Sequence, residues 1–269
     1  MEYSKQNTQL TLQKISNILM INGGFSENPG LYSGETGIAL FFFHYGHFAQ
    51  NEIYTEYGFE MIEKIQSIIH QQTPIDYRNG LSGIGSTIEY LVQNEYIEAE
   101  TDEVLEDIDN RLFDVDNLNV LSLDELFDTG YYTLWRLLGN SLQKKAILRK
   151  FLPELVHSME EQCNHLNEAY WTVTYLREII ETENILALQD QFAMRSPFRP
   201  CYTHYPYGFE INAYNHFMEQ FKKGYFDNDT FELGLQSGIA GFGMALMTEL
   251  GDCDKWIALL PNYYSRSVR

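Results

Sequence analysis

Three stretches of the chain place glycines immediately before apolar segments of helical length. They are GLYSGETGIALFFF (30–43), NGLSGIGSTIEYL (79–91) and LGLQSGIAGFGMALM (233–247). In the first stretch, the run from Ile38 to Phe43 is apolar all round, which predicts a helix enclosed on every side. Elsewhere, apolar residues recur at the spacing of amphipathic helices, and alternating strand-like patterns are scarce. The sequence therefore predicts an all-α chain in which buried inner helices alternate with half-exposed outer helices.

The glycine stretches recur at a spacing of nearly 50 residues. Aligning Gly34 with Gly83 gives a step of 49 residues. A degenerate copy of the motif, LFDTGYYTLWRLL (126–138), places Gly130 another 47 residues on. Gly238 follows after two further steps, with a glycine-free unit at 185–192 between them. This period indicates about five helical hairpins. Because no proline-, glycine- or serine-rich linker divides the chain, we expect 1–269 to form a single domain.

The glycine motifs fit a packing role better than a ligand-binding loop. Ser82 lacks the second glycine of a nucleophile elbow, no Gly-Lys pair forms a phosphate loop, and 83–85 lacks the third glycine of a dinucleotide fingerprint. Glycine at a helix entrance permits positive φ and close helix approach, and serines at 33, 82 and 237 can cap the following helices. We assign this structural role to Gly30, Gly34, Gly80, Gly83, Gly85, Gly234, Gly238 and Gly241.

The charge of the chain restricts its partners. Asp and Glu total 38 against 18 Lys and Arg, a net charge of −20. A field of this sign repels phosphate backbones and anionic lipids, so we expect neither nucleic acid nor membrane insertion. A neutral or cationic peptide or protein suits it better. The acidic run from Glu98 to Asp109 is interpreted as the solvated face of an amphipathic helix.

The N-terminal stretch and the cysteines indicate a cytoplasmic protein. The first 24 residues contain no basic leader followed by a long apolar core, and the longest apolar run is far too short to span a membrane. The three cysteines form no CxxC pair, which favours reduced thiols. An incomplete ring of hairpins would expose the flank of an inner helix, and this exposed surface would favour self-association into a homo-oligomer.

The glycine motifs resemble the repeat signature of the lanthionine synthetase C-like family. The matching segments are Gly30–Gly34, Gly80–Gly85 and Gly234–Gly241, and the similarity extends from about residue 25 to 260. The resemblance implies an α/α toroid of inner and outer helices, here of about five hairpins. It also implies a role with ribosomally made peptides, in which active members use zinc to activate a cysteine thiol for addition to dehydrated Ser or Thr.

The zinc-ligand motifs of active members are missing from this chain. Those members carry a cysteine directly after a tryptophan, and a Cys-His pair followed by glycine. Here Arg136, Thr172 and Ile257 follow the three tryptophans, and none of the seven histidines precedes a glycine. We therefore expect no cofactor and a non-catalytic protein that binds peptide or serves as a scaffold. The alternative is a zinc-dependent cyclase with rearranged ligands, drawn from Cys163, His165, Cys201 and His204.

Two further groups of residues are candidates for chemistry. His44 and His47 stand three apart on the first inner helix, as a hydrogen-bonded core pair or as metal ligands. Carboxylates lie beside the repeat motifs, and α/α toroids also include glycoside hydrolases, which need two such groups about 5 to 10 Å apart. That third hypothesis, a carbohydrate-active toroid, rests on Glu35, Glu89, Asp128 and Glu232. The aromatic, proline-containing segment 195–210 is interpreted either as a peptide- or sugar-binding loop or as a cap on the ring.

Overall fold

The computed structural model describes residues 2–139, 142–162, 167–182, 233–236, 238–252 and 254–260. These residues contain helices and turns but no strand, which confirms the all-α fold class. None of the described helices is long and apolar enough to cross a membrane. The helices are α1 (Glu2–Asn22), α2 (Glu35–Ala49), α3 (Glu52–Ile68), α4 (Leu81–Gln93), α5 (Thr101–Val104), α6 (Glu106–Leu112), α7 (Leu123–Leu138), α8 (Lys144–Ala146), α9 (Leu152–Gln162), α10 (Asn167–Thr182) and α11 (Ile239–Glu249).

The chain separates into two compact units. The first comprises 1–71 and 199–257, and the second comprises 72–198 and 258–269. Whether they constitute the single predicted domain stays a prediction, as does closure of the ring. The glycine-free repeat predicted at 185–192 lies outside the described residues.

The first unit is built around α2, which is buried from Glu35 through Gly46. Its C-terminal residue Gln50 adopts a left-handed conformation with φ of 50°. Asn51 then caps α3 by accepting a hydrogen bond from the backbone N–H two residues on. Because the connection is so short, α3 runs back along α2 and buries only one face. Helix α11 packs on α1 and α2 and is apolar over most of its length. This alternation of wholly and partly buried helices is the predicted one.

The second unit is built around α4 and α7, which pack on each other. Helix α4 is buried from Leu81 to Leu91, and α7 from Leu126 to Leu137. A capping box of Ser122 and Glu125 begins α7, and α9 packs on its outer side. Gly130 lies in the middle of α7, where an added Cβ would be 2.9 Å from the Met159 side chain. The glycine of this degenerate repeat copy, Gly130, therefore lies at a contact between helices and not at the start of a helix.

The three glycine loops share one backbone hydrogen-bond pattern, which corrects the predicted register. The N–H groups of Thr36, Ser82 and Ala240 each donate to the carbonyl seven residues earlier. This pattern aligns Gly34 with Gly80 and Gly238, the three residues that immediately precede α2, α4 and α11. The first step is therefore 46 residues, and the alignment of Gly34 with Gly83 is wrong. The common motif is Gly-x-x-Gly, at 34–37, 80–83 and 238–241.

Close approach of backbone carbonyl groups, and not a positive φ angle, explains why these loop positions are glycines. The φ angles of Gly34, Gly80 and Gly238 are −125°, −121° and −106°, so the expectation of positive φ is wrong. An added Cβ would lie 2.2 Å from the Asn28 carbonyl oxygen at Gly34, and 2.3 Å from that of Pro74 at Gly80. Real Cβ atoms do not approach an oxygen so closely, so these loops exclude a side chain.

The predicted serine caps are also wrong where the structure describes them. The residues that precede α2 and α4 are glycines, and neither helix has a side-chain cap there. Ser82 lies inside α4, where its hydroxyl donates to the Ile75 carbonyl at 2.6 Å. Ser237 lies outside the described residues. The first N–H groups of each helix are thus bonded to the preceding loop, where they are unavailable to a phosphate.

Candidate functional site

Arg136 on α7 lies at the centre of a buried charged cluster in the second unit. Its guanidinium contacts Glu89 of α4 and Asp102 of α5, and donates to Asp109 of α6 at 2.6 to 3.2 Å. Arg136 and Glu89 are fully buried, and Asp109 is 3% exposed. One guanidinium thus joins four helices. We call these four residues the Arg136 cluster.

The Arg136 cluster corrects the interpretation of the acidic run. Asp109 is not part of a solvated face, because the run breaks at Leu105 into two short helices and α6 turns this carboxylate towards α7. Burial raises the pKa of Asp109, and the hydrogen bonds from Arg136 and from the Tyr132 hydroxyl oppose that rise. One signal for this contact is present in the sequence: Arg136 lies among the apolar and aromatic residues of the segment 134–138, where a buried guanidinium requires a buried anion.

The predicted catalytic candidate Glu89 lies within this cluster. One carboxylate oxygen contacts Arg136, and the other accepts a hydrogen bond from Gln93 at 3.3 Å. Burial raises the pKa of Glu89, against the effect of Arg136. Asp128, another candidate, is 2% exposed on α7. Neither carboxylate is accessible to a substrate. The geometry at Glu89 is that of an ion pair between α4 and α7.

Glu35, the corresponding candidate in the first unit, is also held in an ion pair. Its carboxylate is fully buried and contacts Lys64 of α3. The same ammonium group donates to the carbonyls of Gly24 and Ser26 at 2.6 and 2.9 Å. Burial raises the pKa of Glu35, and Lys64 opposes the rise. The pair ties the outer helix α3 to the start of the inner helix α2.

His44 and His47 lie in different environments on α2. His44 is fully buried, and its Nδ1 lies 3.4 Å from Asp252 Oδ2, whereas His47 is exposed. Burial lowers the pKa of His44, and the Asp252 carboxylate opposes that effect. Among the residues that the structure describes, no group of three His, Cys, Asp or Glu side chains is suited to a metal ion. The geometry at His44 is that of a helix-to-loop contact.

The His44 contact predicts a loss of stability in mild acid. Because its folded-state pKa lies below the unfolded value of about 6.5, His44 binds its proton mainly in the unfolded chain. Its stabilising contribution is therefore complete above that pH and is lost as the pH falls towards the folded-state pKa. We expect the thermal midpoint to fall between about pH 7.5 and pH 5.5, and to fall less in His44→Gln. The measurement is thermal unfolding followed by circular dichroism. An equal fall in both proteins would contradict the assignment.

A groove of about 710 Å³ opens on the first unit. Its walls come from α1, from the corner between α2 and α3, and from Leu250. Its lining includes both amide side chains and aromatic rings, and amides can pair with both the N–H and C=O groups of a peptide. The lining residues are Gln9, Leu10, Gln13, Tyr45, Phe48, Ala49, Asn51, Tyr54 and Leu250. The groove could not be predicted from the sequence, because its residues come from three helices, from Asn51 between α2 and α3, and from Leu250. The segment 195–210, interpreted either as a peptide- or sugar-binding loop or as a cap on the ring, lies outside the described residues.

The described residues do not fit a zinc ion. The position after Trp135 carries Arg136, a buried cation already surrounded by carboxylates. A metal ligand there would have to be neutral or anionic, so this Trp-x pair offers none. The alternative ligands Cys163, His165, Cys201 and His204, and the carboxylate Glu232, lie outside the described residues.

Comparison with known proteins identifies the family. A family model described as "Lanthionine synthetase C-like protein" matches residues 26–251. The chain therefore belongs to the lanthionine synthetase C-like family, which confirms the resemblance and the α/α-toroid fold class. Comparisons with curated proteins and with solved structures give no significant match. Family membership supports a function related to lanthionine-containing peptides in general.

Proposed function

We propose that this protein is a non-catalytic member of the family that binds a peptide during the maturation of ribosomally made peptides. One observation carries the proposal: the full sequence contains neither a cysteine after a tryptophan nor a Cys-His pair. Zinc chemistry on a thiol requires protein ligands that hold the metal and leave one position open for the thiolate. A chain that keeps the repeat scaffold without those ligands retains a surface for peptides but not the means to activate a thiol.

The burial of the ionisable candidates supports a non-catalytic role. Glu35, Glu89 and His44 are each fully buried and each contact a charged or potentially charged partner. A general acid or base must come within hydrogen-bond reach of a substrate atom. These side chains instead join helices to one another. Glu35 and Glu89, the two principal carboxylates of the carbohydrate-active hypothesis, are therefore not accessible to a substrate.

The groove on the first unit is the surface that we assign to peptide contact. Its lining side chains carry no formal charge, and three of them are amides. Aromatic rings supply apolar contact area with few rotatable bonds, which favours binding to an extended chain. The net charge of −20 would repel an acidic peptide, so the proposed ligand is neutral or cationic.

A peptide that contains dehydrated residues and one free cysteine tests the proposal. We expect the purified protein, supplied with zinc, to bind the peptide and to leave the thiol unconsumed. Truncating Phe48, whose ring lies in the groove, should weaken binding about tenfold, a loss of about 1.4 kcal/mol. Phe59→Ala is the matched control, since Phe59 is a partly exposed ring of α3 outside the groove. Binding is measured by calorimetry and free thiol by titration.

Two results would overturn the proposal in different ways. Thioether closure, together with stoichiometric zinc that is lost on Cys201→Ala, would establish the cyclase with rearranged ligands. Equal affinity of Phe48→Ala and Phe59→Ala for the peptide would remove the groove as the contact surface. Absence of any binding to neutral or cationic peptides would reject the peptide-binding role itself.

A further inference from the structure

The groove on the first unit lies where the C-terminal ends of two inner helices meet. Phe48 and Ala49 of its lining are the last two residues of α2, and Leu250 directly follows α11. The contact between His44 and Asp252, at 3.4 Å, joins α2 to the turn that ends α11. The C-terminal end of a helix carries a partial negative charge, because its peptide dipoles are aligned. Two such ends give the groove a negative potential although its lining side chains carry no formal charge.

The carbonyl oxygens of Phe48 and Ala49 are open hydrogen-bond acceptors. The two N–H groups that follow α2 donate to carbonyls earlier in its last turn, and none of the described residues donates to these two oxygens. Carbonyl groups at a helix end that lack a protein donor require one from water or from a ligand. Ammonium and guanidinium groups are donors only, so they fit acceptors of this kind.

Ionised side chains beside the groove also favour a cation. Glu52, Glu56 and Asp252 each lie within two residues of a lining residue, and so does Lys14. Glu52 belongs to the first turn of α3, where its carboxylate compensates the positive end of that helix. Three carboxylates thus stand against one ammonium group, in a chain whose net charge is −20.

Three aromatic rings complete the argument for a cation. The centroid of the Tyr45 ring lies 4.6 Å from that of Tyr54 and 6.5 Å from that of Phe48. Tyr45 is only 6% exposed, whereas the other two residues are half-buried and present the accessible ring surface. The electron-rich face of an aromatic ring attracts a cation that lies within about 6 Å of its centroid. An aliphatic lining of equal area would not add this attraction.

We propose that the groove recognises a basic side chain of the peptide, whose charged group lies between the end of α2 and the rings of Phe48 and Tyr54. The charged group donates to the open carbonyls and rests against the rings. The apolar stem of the same side chain packs against Leu10 and Leu250. This inference rests on the proposed peptide-binding role, and it goes further by selecting basic peptides over neutral ones.

A pair of short acetylated and amidated peptides, with lysine or norleucine at one central position, tests the preference. Norleucine keeps the methylene chain of lysine but lacks the ammonium group. We expect the lysine peptide to bind the whole chain about tenfold more tightly at low ionic strength, and the ratio of affinities to fall as salt is added. Calorimetry measures both affinities.

Replacing Tyr54 by leucine locates the preference within the groove. Leucine keeps an apolar side chain but has no ring face, so Tyr54→Leu should lose most of the lysine advantage and bind the norleucine peptide as the wild type does. Phe59→Leu is the matched control and should keep the full ratio, because Phe59 is a partly exposed ring of the same helix outside the groove. Circular dichroism verifies folding, and Phe48→Leu replaces Tyr54→Leu if the latter does not fold.

The failure of this inference differs from the failure of the peptide-binding role. Equal affinity of the wild type for the two peptides would overturn the inference and leave the peptide-binding role intact. An unchanged lysine advantage in the folded groove variant would place the cation elsewhere on the acidic surface, which also overturns it. Binding of neither peptide would reject the peptide-binding role and the inference together.

Discussion

Replacing Arg136 by methionine should lower the free energy of unfolding by about 3–5 kcal/mol. The substitution keeps an unbranched side chain of similar length but removes the guanidinium that faces Glu89 and Asp109. Two carboxylates are then left in the interior without their counter-ion, and such groups must either be desolvated as anions or take up protons. Urea titration followed by tryptophan fluorescence and circular dichroism measures the change.

The pH dependence of this variant separates charge from packing. Without Arg136, the pKa values of Glu89 and Asp109 rise further, so the folded state binds more protons than the unfolded state. The stability of Arg136→Met should therefore decrease as the pH rises above the unfolded carboxylate values of about 3.9–4.3. The deficit relative to the wild type should be larger at pH 7 than at about pH 5. A deficit independent of pH would indicate that lost packing, and not unpaired charge, causes the effect. Lys150→Met, at an exposed position in the same unit, is the control and should change stability by less than about 0.5 kcal/mol.

The fold class followed from local patterns, because a helix that is apolar on every face has to be enclosed. The run Ile38 to Phe43 predicted the buried helix α2 without knowledge of what covers it. The register did not follow as easily. The letters Ser-Gly recur at 33–34 and 82–83, whereas the backbone aligns Gly34 with Gly80. What the loops before α2 and α4 share is an approach of the first glycine to a carbonyl six residues earlier, and sequence identity does not record that distance.

The partners of the buried charges could not be predicted from local patterns. Glu35 pairs with a lysine 29 residues away, and Glu89 with an arginine 47 residues away. Nothing in the neighbouring residues specifies which helix faces which, so the carboxylates were candidates for catalysis as much as for structure. The residues at equivalent positions of the other repeats help to distinguish a catalytic role of these carboxylates from a structural one. In that register Glu35 corresponds to Leu81 and Ile239, and Glu89 to Phe43 and Met247, all of them buried apolar residues.

The scaffold accommodates its two buried repeat carboxylates, Glu35 and Glu89, as ion pairs. Each carboxylate stands where the sister repeats have a hydrophobic side chain, and each is matched by one basic residue from a neighbouring helix. Such pairs contribute little net stability compared with apolar residues, but removing one partner is costly. A packing arrangement that separated either carboxylate from its basic partner would therefore be strongly disfavoured. The chemistry expected of the family depends on other residues, which the full sequence does not contain in their usual motifs.

Gly241→Ala should destabilise the first unit by about 3 kcal/mol, the upper end of the usual range for overpacking. An added Cβ would lie 1.7 Å from the carbonyl oxygen of Leu235, and no rotamer change can relieve a contact with backbone. The loop would have to move away from α11, which breaks the bonds from Ala240 to Leu233 and from Gly241 to Gly234. Alanine favours a helix interior over glycine by about 1 kcal/mol, which offsets only part of the cost.

Gly24→Ala is the matched control for this close approach. A Cβ at Gly24 would meet nothing nearer than the Tyr57 hydroxyl at 4.0 Å, so its free energy of unfolding should stay within about 0.5 kcal/mol of the wild type. Chemical unfolding of both variants, with the thermal midpoint as a second measure, gives the comparison. If Gly241→Ala were as stable as Gly24→Ala, the loop and helix could separate freely, and the glycine would not be needed for packing. The expected difference instead places the stability of the repeat in a contact between two pieces of backbone, which only glycine at this position permits.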